Sequence, residues 1–312
     1  MLALPDSGML RSINTHNVVI EYLCDWIEGS ILFDETEEKF SVMDIVDVLI
    51  SENIYDEQNF AEEIVVDAWG ELKRRVNCID SAVPFSVIYP TVKRTGTWED
   101  APAHSFCVLL SLAQCYRAWW VGISRGDYRE QGELFELLTQ ESLETQFSDW
   151  CIRRTGWYRT QPTDLREMVN RIADWLGEDV GDDINTWAGS EGKDMGLDLL
   201  CYRPFPDNRA GFPVYLMQCA SGQNWVEKVH QPDINLWQKL VNFVVRPQKA
   251  FAIPFALSDD DFKKQCVLVQ GLLLDRCRLL AAARFREQWE SSSLKDRIIR
   301  WGIPRVNQLP RN

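Results

Sequence analysis

The stretch GSEGKDMGLDLLCYRPFPDNRAGFPVYLMQCASGQNW, residues 189–225, holds two apolar runs of strand length, LDLLCYRPF and VYLMQCA. They are joined by PDNRAG, a run of turn-forming residues. A glycine-punctuated segment leads into the first run, and Asp198 sits just inside it. Side chains alternate faces along a strand, so Gln218 and Ala220 share one face while Met217 and Cys219 take the other. If the two strands pair side by side, Asp198 and Gln218 converge. A carboxylate is costly to bury unpaired, and a hard divalent cation with oxygen ligands is one way to stabilise it. The Cys219 carbonyl could add a third oxygen to Asp198 and Gln218.

Around this stretch the second half of the chain reads as alternating helices and strands. TDLREMVNRIADWLG is amphipathic, with Leu165, Met168, Val169, Ile172 and Leu176 on one stripe and Gly177 as its stop. INTWAG suits a short strand. PDINLWQKLVNFV reads as a helix with Pro232 in its first turn, and KAFAIPFAL as a further strand. The segment from Asp259 to Trp289 reads as one long helix, acidic at its start and basic towards its end. The expected order is helix, three strands, helix, strand, helix.

The first half differs in character. NVVIEYLCDWI, SVMDIVDVLI and NFAEEIVVDAWGELKRRV carry apolar residues at helical spacing, and Ser41 with Asp44 resembles a capping box. SFCVLLSLAQCYRAWW is apolar nearly all round and suits a central helix. Residues 1–150 hold 10 lysines and arginines against 27 aspartates and glutamates, whereas residues 151–312 hold 23 against 20. The polar stretch from Ser124 to Glu133 suggests a linker, dividing an acidic, mostly helical domain (1–130) from a second domain (131–312). The acidic half is either ordinary solvated surface or a docking face for a protein partner, and a homo-oligomer is also possible.

Composition excludes several classes. A net charge of −14 argues against coating nucleic acid by charge alone. No run of about 18 apolar residues suggests a membrane span, and the N-terminus lacks the pattern of a signal peptide, so a cytoplasmic location is expected. The nine cysteines are dispersed without a CxxC pair and read as reduced thiols; the three histidines lie far apart, without zinc or Ser-His-Asp spacing. GSEGKD resembles the end of a phosphate-binding loop, but Trp187 stands where that motif needs glycine and Asp194 where it needs Ser or Thr.

The glycine-rich turn before Asp198, followed by an apolar strand that ends in Gln218, resembles the PD-(D/E)XK nuclease superfamily, in its Mrr-like branch related to type IV restriction endonucleases. The resemblance covers residues 162–257 and implies a restriction-endonuclease-like αβββαβ core with a mixed sheet; with the helical N-terminal unit read from the periodicity of the first half, the expected fold class is α/β. The resemblance implies Asp198 as metal-binding aspartate, Gln218 in place of the usual acid, Glu167 as the acidic residue of the first helix, and Gly189, Gly192 and Gly196 as the turn glycines. The family lysine belongs at position 220, where this chain has alanine. Lys228 is the nearest substitute downstream.

The implied function is a Mg²⁺- or Mn²⁺-dependent endonuclease acting on DNA, in a bacterial defence setting. The alternative is an inactive nuclease-fold subunit serving nucleic-acid binding or assembly; RNA is a third possible substrate. Nucleic-acid contacts would fall to Arg153, Arg154 and Arg159 beside Trp157 and Tyr158, to Ser221, Asn224 and Trp225, and to arginines of the last segment from Arg276 to Arg305. Each residue also has a plain structural role open to it. Asp198 could be a turn acid, Gln218 a core amide, Glu167 half of a capping box with Asp164, Lys228 a solvated residue and Trp225 packing.

Overall fold

A computed structural model describes residues 1–9, 18–80, 83–126, 128–155, 164–187, 195–207 and 209–311. The chain divides into two compact units. The first holds Met1–Tyr128, Pro254–Ser258 and Arg276–Asn312, and the second Arg129–Ile253 and Asp259–Asp275. The last segment, from Arg276 onward, groups with the acidic half, whereas the sequence reading placed it in the second domain (131–312).

The first unit opens with α1 (Ile20–Phe33), β1 (Lys39–Ser41), α2 (Val42–Ser51) and α3 (Gln58–Ile79). Ser41 caps α2, accepting from the Asp44 N–H while the Asp44 carboxylate accepts from the Ser41 N–H, so the capping box is present in full. A hairpin, β2 (Phe85–Ile88) and β3 (Thr91–Arg94), pairs antiparallel with β1 in the order β1-β3-β2. The apolar run expected as one central helix is two, α4 (Pro102–Cys115) and α5 (Arg117–Ser124), bent by 115°. Thirteen of the fourteen α4 residues are buried. Among the described residues no single helix is long and apolar enough to cross a membrane.

The second unit is α/β. It runs α6 (Arg129–Gln146), β4 (Cys151–Arg154), α7 (Leu165–Leu176), β5 (Asp179–Val180), α8 (Ile184–Trp187), β6 (Leu199–Tyr202), β7 (Val214–Cys219), α9 (Ile234–Leu240), β8 (Val241–Asn242), β9 (Gln248–Ala252), α10 (Asp259–Val269) and β10 (Leu272–Leu274). A mixed five-stranded sheet has the order β10-β9-β7-β6-β4. β6 is antiparallel to both neighbours, and β7, β9 and β10 run parallel. On one face Leu200, Tyr202, Val214 and Leu216 pack against the expected α7 stripe and against Trp237 and Leu240 of α9. On the other, Cys201, Tyr215 and Met217 line a cavity of about 250 Å³ with Leu143 of α6.

Three elements depart from the sequence reading. Of INTWAG, the described residues INTW form the helical turn α8, and the outer strand beyond β6 is β4, from CIRR. Pro232 precedes α9, which is capped instead by Asp233 through the N–H groups of Asn235 and Leu236. The long helix stops at Val269: Gln270 is left-handed (φ 53°), and Gly271 lets the chain pass against β9, where an added Cβ would lie 2.2 Å from the Lys249 carbonyl oxygen. Gly271→Ala is expected to cost about 1–3 kcal/mol, read as a lowered thermal midpoint. Gly70→Ala, inside α3 with nothing within 4 Å of the added carbon, is expected to raise stability by about 0.4–1 kcal/mol.

The first unit closes with α11 (Arg276–Leu280) and α12 (Ser292–Asn307). Its core holds ions. Arg75 of α3 and Arg276 of α11 both meet Asp25 and Glu28 of α1, at 2.8–3.3 Å, and His104 Nε2 of α4 meets Glu28 at 3.1 Å. Part of the acidity of this half is thus internal, although Glu35, Glu37 and Glu38 remain exposed. Arg276 is fully buried, so it is not available to contact a nucleic acid in this fold.

Candidate functional site

Asp198 stands one residue before β6 and already belongs to the ladder: its N–H donates to the Met217 carbonyl at 2.9 Å, and its carbonyl accepts from the Thr155 N–H at 2.9 Å. Leu199 pairs with Met217, so the register extended by one residue sets Asp198 opposite Gln218, on one face of the sheet. The two side chains meet. Gln218 Nε2 donates to Asp198 Oδ2 and, at 3.3 Å, to the Cys219 carbonyl, while the Cys219 N–H donates to Asp198 Oδ2 at 2.6 Å. Asp198 and Gln218 are 6% and 7% exposed, so these bonds satisfy groups that would otherwise be costly to bury.

Gly196 completes the near side. It is left-handed (φ 71°), and an added Cβ would lie 3.0 Å from Gln218 Oε1 and 2.8 Å from the Gln231 side chain. Both the backbone conformation and this approach call for glycine. Gly189, Gly192, Glu191, Asp194, Arg159, Trp157 and Tyr158 lie outside the described residues.

The remaining candidates spread out. Glu167 is exposed on α7, ion-paired to Arg171 at 2.9 Å, and its N–H is capped by Asp164 at 2.8 Å. That is the helix-start role, with the carboxylate paired to Arg171. Lys228 is half-buried on a short 3-10 turn (Trp225–Lys228), which Asn224 precedes at the surface. Trp225 is buried packing. Ser221 is held to α6, its carbonyl and hydroxyl both accepting from Gln131 Nε2 at 2.9 and 3.2 Å. Arg154 is paired with Glu136 at 3.1 Å, whereas Arg153 is exposed. The Cys219 thiol is pushed well above its ordinary value, first by burial and then by the Asp198 carboxylate, which leaves it protonated and a poor nucleophile.

Ala220 is 1% exposed, and its N–H donates to the Ala252 carbonyl at 2.9 Å. The position at which the family would carry lysine is filled and closed. A different lysine, Lys249 of β9, lies on the same sheet face as Gln218. Sequence reasoning missed it because the pairing of β7 with β9, and hence the face, is set by register that no local pattern reveals.

Among the described residues no group of three or more His, Cys, Asp or Glu is placed to hold a metal ion. Asp198 Oδ2 and the Cys219 carbonyl, however, both accept from one amide nitrogen. An amide rotated by half a turn would instead offer Gln218 Oε1 there, making an oxygen set with one carboxylate. Mg²⁺ is commonly held by one or two carboxylates together with substrate phosphate and water, so the set fits that ion.

No protein-family model, curated protein or solved structure matches the chain.

Proposed function

We propose that the second unit is a metal-dependent phosphodiesterase of the PD-(D/E)XK type, cleaving DNA. The observation that carries this reading is the meeting of Asp198 and Gln218 across neighbouring strands, with the Cys219 carbonyl beside them. The element order supports it. Within the residues of the resemblance, β6, β7, α9 and β9 make two antiparallel strands, a helix and a parallel strand; the outer strand β4 and helix α6 precede that stretch, and α7, β5 and α8 lie between β4 and β6.

Asp198, Gln218 and the Cys219 carbonyl would hold Mg²⁺ or Mn²⁺, which when bound supplies charge stabilisation for the phosphoryl oxygens. The chain's own residues act around that. Gly196 leaves room beside the amide, and Cys219 N–H fixes the carboxylate. In the reaction a water oxygen bonds to phosphorus and gives up a proton to solvent, the opposite P–O bond breaks with its electron pair, and the departing alkoxide oxygen takes up a proton from solvent. Arg153 would touch the phosphate backbone without reading sequence. The exposed acids of the first unit, Glu35, Glu37 and Glu38, would meet a basic protein partner. All nine cysteines are free thiols, which suits a reducing compartment such as the cytoplasm, and a bacterial defence setting follows from the family alone.

A second reading has its own observation. Ala220 is closed off, and Gln218 already satisfies Asp198, as in a nuclease fold retained for binding or assembly. Plasmid incubated with the full chain and Mn²⁺ or Mg²⁺ separates the two. The first reading expects nicked or linear DNA that EDTA abolishes; intact plasmid and intact RNA under every metal condition would leave only the second.

A further inference from the structure

If the site cleaves phosphodiesters, a cation must face the substrate phosphate, and Ala220 does not supply it. We propose that Lys249 is that cation, and that Lys228 is not. The inference rests on the phosphodiesterase reading above.

The placement comes from register. β7 and β9 are parallel, with Leu216 opposite Lys249 and Gln218 opposite Phe251. Paired residues of neighbouring strands point the same way, so Lys249, Gln218 and Asp198 share a face. Ala220 also lies on this face but is sealed, so position 220 does not supply the cation.

The state of Lys249 points the same way. It is half-buried, and no carboxylate among the described residues lies within ion-pair distance of it. Its Nζ donates to the Val229 carbonyl at 2.9 Å. Burial pushes its pKa below the ordinary 10.5, with only a partial opposing pull from Asp233. A partly desolvated ammonium with no carboxylate of the described residues in ion-pair contact carries a cost that a bound phosphate would relieve. The backbone holding this ammonium leads directly to the site: Gln231, two residues beyond Val229, packs on Gly196, which in turn faces the Gln218 amide. Lys228, by contrast, rides on a four-residue turn, whereas Lys249 is fixed on β9, paired on both sides by β7 and β10.

The experiment uses the full chain and end-labelled duplex DNA with Mn²⁺, with binding measured in parallel by fluorescence anisotropy in Ca²⁺. Lys249→Met is expected to slow cleavage at least about 100-fold, the scale for removing one preorganised stabilising group. Lys249→Arg should recover part of the rate, and Lys228→Met should stay within about threefold of wild type. Thermal midpoints check that each variant folds, with Lys249→Gln as a second substitution should the methionine variant be unstable. A Lys249→Met protein that cuts at the wild-type rate, while Asp198→Asn does not cut, overturns the inference and spares the reading beneath it. Wild-type protein that neither cuts nor binds removes both.

Discussion

Replacing Glu28 with alanine is expected to destabilise the first unit by about 3–5 kcal/mol, the scale for removing one member of a buried ion network. Urea denaturation read by tryptophan fluorescence would record it, as Trp26 lies on the same helix and is fully buried. Glu28 is 2% exposed and accepts from Arg75 at 2.8 Å, from Arg276 at 3.3 Å and from His104 at 3.1 Å. Its removal leaves two guanidiniums with Asp25 and, through Arg75 Nε at 3.0 Å, Glu71. The deficit falls hardest on Arg276, whose Nε and Nη1 already lack a protein acceptor. The exposed pair Arg171–Glu167 is the control: Arg171→Ala should cost less than about 1 kcal/mol, since solvent screens it. Equal losses at both sites would refute a stabilising role for the buried network.

The same cluster sets a pH dependence. Burial alone would raise the Glu28 pKa, but the Arg276 and Arg75 guanidiniums and the His104 bond outweigh it and hold the carboxyl far below its ordinary 4.5. Burial lowers the His104 pKa below 6.5 despite the opposing Glu28 bond, so His104 is neutral and donates from Nε2. In both cases the unfolded chain binds protons more readily than the folded one. The stabilisation is therefore complete above pH 6.5, declines below it as unfolded His104 protonates, and falls further below 4.5 through Glu28. His104→Gln should remove the upper part of this decline and leave the lower.

What could be read from the sequence followed from local chemistry. The α7 stripe and its Gly177 stop, the Ser41 cap and the two strands around Asp198 each rest on residues within a few positions of one another. Convergence of Asp198 and Gln218 needed only one antiparallel pairing, between runs joined by an evident turn. Long-range register was not legible. GLLLD continues a helical pattern, and only the crossing over Lys249 turns it into β10. The ion network was hidden for the same reason: Asp25 and Glu28 look like solvent-facing helix acids until Arg276 returns from 248 residues away. Glu167 had two readings, and local capping by Asp164 describes its position in the fold.

Asp198→Ala carries the largest expected functional change. On the proposed reading, a metal held by this carboxylate would contribute several kcal/mol to transition-state charge stabilisation. Three to four of these correspond to about a 100- to 1,000-fold lower cleavage rate. The substitution also has a structural cost, because Cys219 N–H and Gln218 Nε2 lose their shared acceptor at a buried position. That loss is worth about 1–3 kcal/mol, and it would lower the thermal midpoint in EDTA whatever the protein does. The discriminating quantity is thus the metal-dependent part. Wild type should gain stability with rising Mg²⁺ or Mn²⁺, as binding to the folded state alone requires, and Asp198→Ala should gain none. Asp198→Asn, which keeps the shape but not the charge, should lose cleavage and the metal response while unfolding closer to wild type than the alanine variant does. If wild type shows no metal response and the asparagine variant assembles as wild type does, then Asp198 serves as the carboxylate that ties β6 to β7 and the fold acts without hydrolysis.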